Sequence, residues 1–70
     1  MKERIDREYL IKIREDGCGY KKGDKVKAVF HGCQTVEMEE QAVLTFIEGA
    51  AKGKQMTVPY RCFRFEGGDQ

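Results

Sequence analysis

Apolar and polar residues alternate in three stretches of the chain. From Tyr9 to Glu15, Tyr9, Ile11 and Ile13 fall on one side and Lys12 and Arg14 on the other; from Lys25 to His31, Val26, Ala28 and Phe30 share a side; from Gln55 to Tyr60, Met56, Val58 and Tyr60 do so. A period of two marks a strand with one buried face. The first stretch also fits a helix from Lys2 to Asp16, with Ile5, Tyr9 and Ile13 stacked at i, i+4 and i+8 and Gly17 as its C-cap.

Turn chemistry punctuates these runs. Asp16 to Asp24 holds three glycines in a short polar span and must be a loop. Gly32 closes the strand that starts after Gly23-Asp24. Between Phe46 and Pro59, Gly49 and Gly53 bracket a small basic turn, which reads as strand, tight loop, strand. Thr35 to Lys52 is ambiguous: Thr35 as an N-cap with a Glu-rich first turn would start a helix carrying Ala42, Val43, Phe46, Ile47 and Ala50 on one stripe. The β-preferring Val43, Thr45, Phe46 and Ile47 and the interior Gly49 favour a strand instead. Pro59 ends regular pairing or marks an edge, and Tyr60 to Cys62 reads as one 3₁₀ turn before Phe63-Arg64-Phe65.

The expected architecture is mainly β: a small barrel of about five short antiparallel strands over residues 9–65. A charged arm at 1–8 precedes it, loose or forming one short helical turn, and a flexible tail follows at 66–70. Ile11, Ile13, Val26, Ala28, Phe30, Leu44, Phe46, Met56, Val58 and Phe63 should supply most of the core.

Seventy residues allow one domain with a modest core, too small for a deep catalytic cleft. No apolar run approaches the roughly 18 residues of a membrane span. Met1 to Glu8 is charged where a leader peptide would be apolar, so a cytoplasmic location is expected. The sequence lacks serine, which excludes a serine nucleophile. Cys18, Cys33 and Cys62 are odd in number and lack CxxC spacing, so reduced, metal-free thiols are expected. With His31 they could form a Cys3His zinc set, since thiolate and imidazole suit tetrahedral zinc. His31 beside a thiol is also the minimum for a nucleophile and base, but no orienting group accompanies it. No enzyme activity and no cofactor are expected.

Net charge is +1, yet charge is segregated along the chain. Lys21, Lys22, Lys25 and Lys27 crowd around Asp24; Lys52, Lys54, Arg61 and Arg64 fall in an acid-free segment from Ala50 to Phe65; Glu37, Glu39, Glu40 and Glu48 fall in a base-free one from Thr35 to Gly49. Lys and Arg neutralise phosphates and exposed rings stack on unpaired bases. The candidate nucleic-acid contacts are therefore Tyr20, Lys21, Lys22, Lys25, Lys27, Lys52, Lys54 and Arg61, with Tyr20 and Arg61 as stacking groups. The segments Tyr20 to Lys27 and Gly49 to Lys54 are expected on one side of the barrel.

Gly23-Asp24-Lys25-Val26-Lys27-Ala28-Val29 and Ile47-Glu48-Gly49-Ala50-Ala51-Lys52-Gly53-Lys54 resemble fragments of SH3-like barrels of the KOW type found in transcription and ribosomal proteins. The resemblance spans roughly Gly23 to Phe65. It implies a non-catalytic module that contacts RNA, DNA or a partner protein through loops and one barrel face. The alternative is a protein-interaction or homo-oligomerisation module, in which the acidic Glu37 to Glu40 segment of one copy meets the basic loops of another.

Overall fold

The computed structural model describes residues 5–17 and 19–68. Five strands, β1 (Arg7–Ile13), β2 (Lys25–Val36), β3 (Glu39–Phe46), β4 (Gln55–Pro59) and β5 (Phe63–Gly68), form one antiparallel sheet in the order β4-β3-β2-β1-β5. The alternation at Tyr9 and at Lys25 produces strands as expected, and strand wins over helix in both ambiguous segments. The 3₁₀ turn falls on Tyr60–Cys62, directly after Pro59. The proline fixes its own backbone in the extended region and withholds a ladder donor, so β4 stops there.

Four details differ from the expectation. The sheet is not closed into a barrel: β4 and β5 are its two ends, joined through the 3₁₀ turn and not by a ladder. Gly32 does not end its strand. At φ +116° it lets β2 bend and continue to Val36, and His31 and Gly32 together oppose the single residue Val43 as the register shifts between Phe30 and Cys33. The N-terminal strand starts at Arg7, two residues inside the expected arm; Ile5 and Asp6 form a turn, and residues 1–4 lie outside the described part of the chain. Glu66 to Gly68, expected in the tail, belong to β5, with Gly67 and Gly68 paired to Leu10 and Tyr9; 69–70 lie outside the described residues. Those residues need no apolar side chain to stay ordered, because the β1 backbone satisfies theirs.

One face of the sheet collects Tyr9, Ile11, Ile13, Val26, Ala28, Phe30, Ala42, Leu44, Phe46, Val58 and Phe63, all buried. Nine of these eleven are on the expected core list, and Tyr9 falls on the expected inward side. The tenth expected member, Met56, is only partly covered because β4 is an end strand. Rings dominate one side of this core: Tyr9, Phe30 and Phe65 meet edge to face at centroid distances of 5.1 to 6.4 Å. Full burial of such a side chain contributes about 1.5–3 kcal/mol, so a handful of them carries a domain of this size. Tyr20 and Ala51 come from loops and plug one end of the core. No helix among the described residues is long and apolar enough to cross a membrane.

Candidate functional site

Tyr20 is buried, not displayed. Its ring lies 4.8 Å from that of Phe46, its hydroxyl donates to the Glu48 carbonyl at 2.6 Å, and the same oxygen accepts from the Ala51 amide at 3.1 Å. The expected stacking role is therefore withdrawn, because every polar and apolar surface of the ring is committed to closing the core. The same contacts do join the two basic loops, as expected: the segment from Tyr20 and the loop 49–54 meet across this phenol. The cleft between them, however, is lined by Asp24 and Glu48 beside Lys25, so its charge is mixed.

The other expected cations divide by position. Lys52 and Lys54 are exposed on the β3–β4 loop. Arg61 is on the 3₁₀ turn and is ion-paired with Glu39, at the opposite end of β3 from that loop. Lys27 is directly opposite Leu10 and lines a shallow depression with Asp6 and Glu8, again mixed in sign. Lys21 and Lys22 lead the turn before β2, where their backbone amides are capped by Asp24 Oδ2 at 3.0 Å and Asp16 Oδ1 at 2.7 Å.

Cations gather on the face of β5, β1 and β2 that points away from the core. Lys12 is directly opposite Arg64 on one side and Lys25 on the other, so three cations form a row across three adjacent strands. Neighbouring strands lie about 4.8 Å apart, and like charges directly opposite one another oppose sheet formation. Arg14, just past the end of β1 and two residues beyond Lys12, extends the row toward the 21–24 turn. Lys12, Ile13, Arg14, Lys22, Gly23 and Arg64 line one shallow concavity in which every charged residue is basic. Among the described residues no carboxylate is paired with the side chains of Lys12, Arg14 or Lys22.

One acid answers this row. β5 steps two residues while β1 steps one between Ile11↔Phe65 and Leu10↔Gly67, which makes Glu66 the extra, bulged residue. Its carboxylate takes a 2.6 Å bond from Arg64 Nε and reaches Lys25 Nζ at 3.6 Å. The Arg64 hydrogen bond is the largest influence and lowers the Glu66 pKa from its ordinary 4.5; burial opposes it, and the charges of Arg64 and Lys25 add to the lowering.

Histidine and cysteine chemistry is placed elsewhere. His31 Nδ1 lies 2.8 Å from Asp6 Oδ1 and Nε2 lies 2.7 Å from Thr45 Oγ1. A carboxylate only accepts, so Nδ1 carries a proton toward Asp6. The ring thus ties the Ile5–Asp6 turn to β2 and β3 and has no nitrogen left for a thiol or a metal. Cys33 is exposed, Cys62 is half-buried with its Sγ 3.8 Å from Glu15 Oε1, and Cys18 lies outside the described residues. No group of three His, Cys, Asp or Glu side chains able to hold a metal occurs among the described residues.

Lys12 and Arg14 are the site residues that loop-centred reasoning passes over. Part of their signal was present, since Lys12 and Arg14 alternate with the inward Ile11 and Ile13, but the cross-strand neighbours of Lys12, Arg64 and Lys25, are distant in sequence. No protein-family model, curated protein or solved structure matches this chain.

Proposed function

We propose that the chain is a non-catalytic binding module that contacts the phosphate backbone of RNA or DNA through the outward face of β5, β1 and β2. The observation that carries this reading is Lys12 between Arg64 and Lys25: three like charges in direct cross-strand register cost stability and gain their use when a polyanion lies across them. Lys22 and Arg14 continue the row. The partly covered Tyr60, which stacks on Phe63, and the burial of Tyr20 argue for backbone contact over base stacking. The five-stranded antiparallel sheet and its 3₁₀ turn support the SH3-like, KOW-type resemblance as the setting of this function, and a cytoplasmic location accords with it.

Anisotropy titrations of single-stranded and duplex oligonucleotides across a salt series test the proposal. Affinity should fall steeply with salt, and Lys12→Glu with Arg64→Glu should abolish binding while Lys52→Glu changes it little. Absence of affinity for every RNA and DNA at low salt would overturn it.

A second reading rests on the β2–β3 hairpin tip. Met38 is 98% exposed there, beside Glu37 and Glu40. An apolar knob among acids suits a basic protein surface, including the cationic face of a second copy. A concentration-dependent mass in solution, lost in Met38→Glu or when the Lys12 row is reversed, would support that reading in place of the first.

A further inference from the structure

Within the cationic face, the geometry points to a pocket for one terminal phosphate monoester of a nucleic-acid strand, an inference that rests on the nucleic-acid reading. The row Arg64–Lys12–Lys25 crosses three adjacent strands, suited to a chain passing over it. The concavity at its end is different. Lys12 from β1 and Arg14 from just past its end line it, with Arg64 from β5 and Lys22 from the turn that caps that end, so cations converge from three segments of the chain. The turn is held against β1 by the Gly23 amide donating to the Ile13 carbonyl at 2.8 Å and the Ile13 amide donating to the Asp24 carbonyl at 2.8 Å.

Charge and shape select the ligand class. A phosphodiester carries one negative charge, whereas a terminal phosphate carries about 1.5–2 near neutral pH and offers three acceptor oxygens. Four cations in one depression, with no acid lining it, match the second better than the first. Gly23 has φ +97° and nothing within 4 Å of where a Cβ would stand, so the rim of the depression is bare at that point. The carboxylates nearest the turn, Asp16 and Asp24, are engaged by the backbone amides of Lys22 and Lys21 and shape the loop that presents Lys22.

The test compares oligonucleotides of one sequence bearing a 5′-phosphate, a 3′-phosphate or only hydroxyl ends, alongside a nucleoside monophosphate and pyrophosphate, by titration and by amide chemical shifts. One phosphorylated end should bind roughly tenfold tighter than the hydroxyl-ended strand, with shifts at Lys22 and Gly23. Arg14→Gln and Lys22→Gln should each erase that advantage, weakening the phosphorylated strand about tenfold more than the hydroxyl-ended strand, which loses only one backbone contact; Lys27→Gln, in the other depression, should leave the advantage intact. Equal affinity for all three strands overturns the pocket and leaves the backbone reading standing. A nucleoside monophosphate binding as tightly as the phosphorylated strand overturns the assignment to a strand end. If no strand binds but pyrophosphate shifts Lys22 and Gly23, the backbone reading fails and the phosphate pocket alone survives; if neither binds, both are wrong.

Discussion

Tyr20 lies across Gly49 so closely that a Cβ at Gly49 would stand 2.7 Å from the ring's Cε1. Gly49 is also in the left-handed region, at φ +82°. Two independent reasons thus require glycine where the β3–β4 loop meets the loop before β2, and this contact seals one end of the core.

Gly49→Ala is therefore expected to destabilise the fold by roughly 2–4 kcal/mol, combining left-handed strain with overpacking against a hydrogen-bonded ring. Gly53 supplies the control: its φ is +83° but nothing lies within 4 Å of its Cβ position, so Gly53→Ala should cost only about 1–2 kcal/mol. Urea denaturation midpoints at unchanged slope measure both. Equal losses would show that the Tyr20 contact is unimportant.

Lys12→Gln should separate stability from binding. Removing the central charge of the Arg64–Lys12–Lys25 row relieves two like-charge contacts, so the variant should be more stable by about 0.2–1 kcal/mol. It should bind nucleic acid more weakly, with a log–log salt slope smaller by about 1. A variant that is less stable than the parent would remove the argument from charge repulsion.

Much of this molecule was legible in its sequence, because period-two alternation and glycine spacing are local properties. The strands at Tyr9 and Lys25, the loop 49–54 and the 3₁₀ turn at Tyr60 all follow from neighbours within a few residues. What could not be read locally was register. Arg64 and Lys12 become partners only through the pairing of β5 with β1, and Tyr20 looks like any exposed loop tyrosine until Phe46 and Glu48 are seen around it. Glycines misled twice: Gly32 looked like a terminator and Gly67 like a tail, yet both lie within strands, one at a bend and one just past the Glu66 bulge.

Glu66 gives the acid side of the stability profile a definite sign. Its folded pKa is lowered below 4.5, chiefly by the Arg64 hydrogen bond, so the stabilisation it supplies is present above the unfolded value and is lost as pH falls through the folded one. Thermal midpoints measured from neutral pH downward should fall more steeply below pH 4.5 for the parent than for Glu66→Gln. The same variant should bind nucleic acid more tightly at neutral pH, because Arg64 and Lys25 lose their internal counter-charge. Parallel pH profiles for the two proteins would contradict the assignment.

The β2–β3 turn is built from residues poorly matched to its shape. Glu37 and Met38 have φ of 50° and 65°, the type I′ geometry that asparagine and glycine accommodate far better. Because Met38 packs on nothing, replacing the pair with Asn-Gly should stabilise the protein by roughly 1–2 kcal/mol. Denaturant midpoints check this, and a loss of stability would mean that the tip has a packing role. If the double substitution also removes self-association, the strained turn is retained for the contact that Met38 makes.

The strand order has a kinetic consequence. β1 through β4 meet their neighbours through successive hairpins, but β5 must return from the far end of the chain to β1, some fifty residues away in sequence. Closing that long loop is entropically the most demanding pairing, so the four-stranded meander should condense first and β5 should dock last. Substitutions in the β2–β3 hairpin should then slow folding, whereas those in β5 should mainly speed unfolding. Arg64 and Glu66 arrive with β5, so the cationic row and its internal counter-ion come into being only in the final step of folding, and a partly folded chain lacks the complete row.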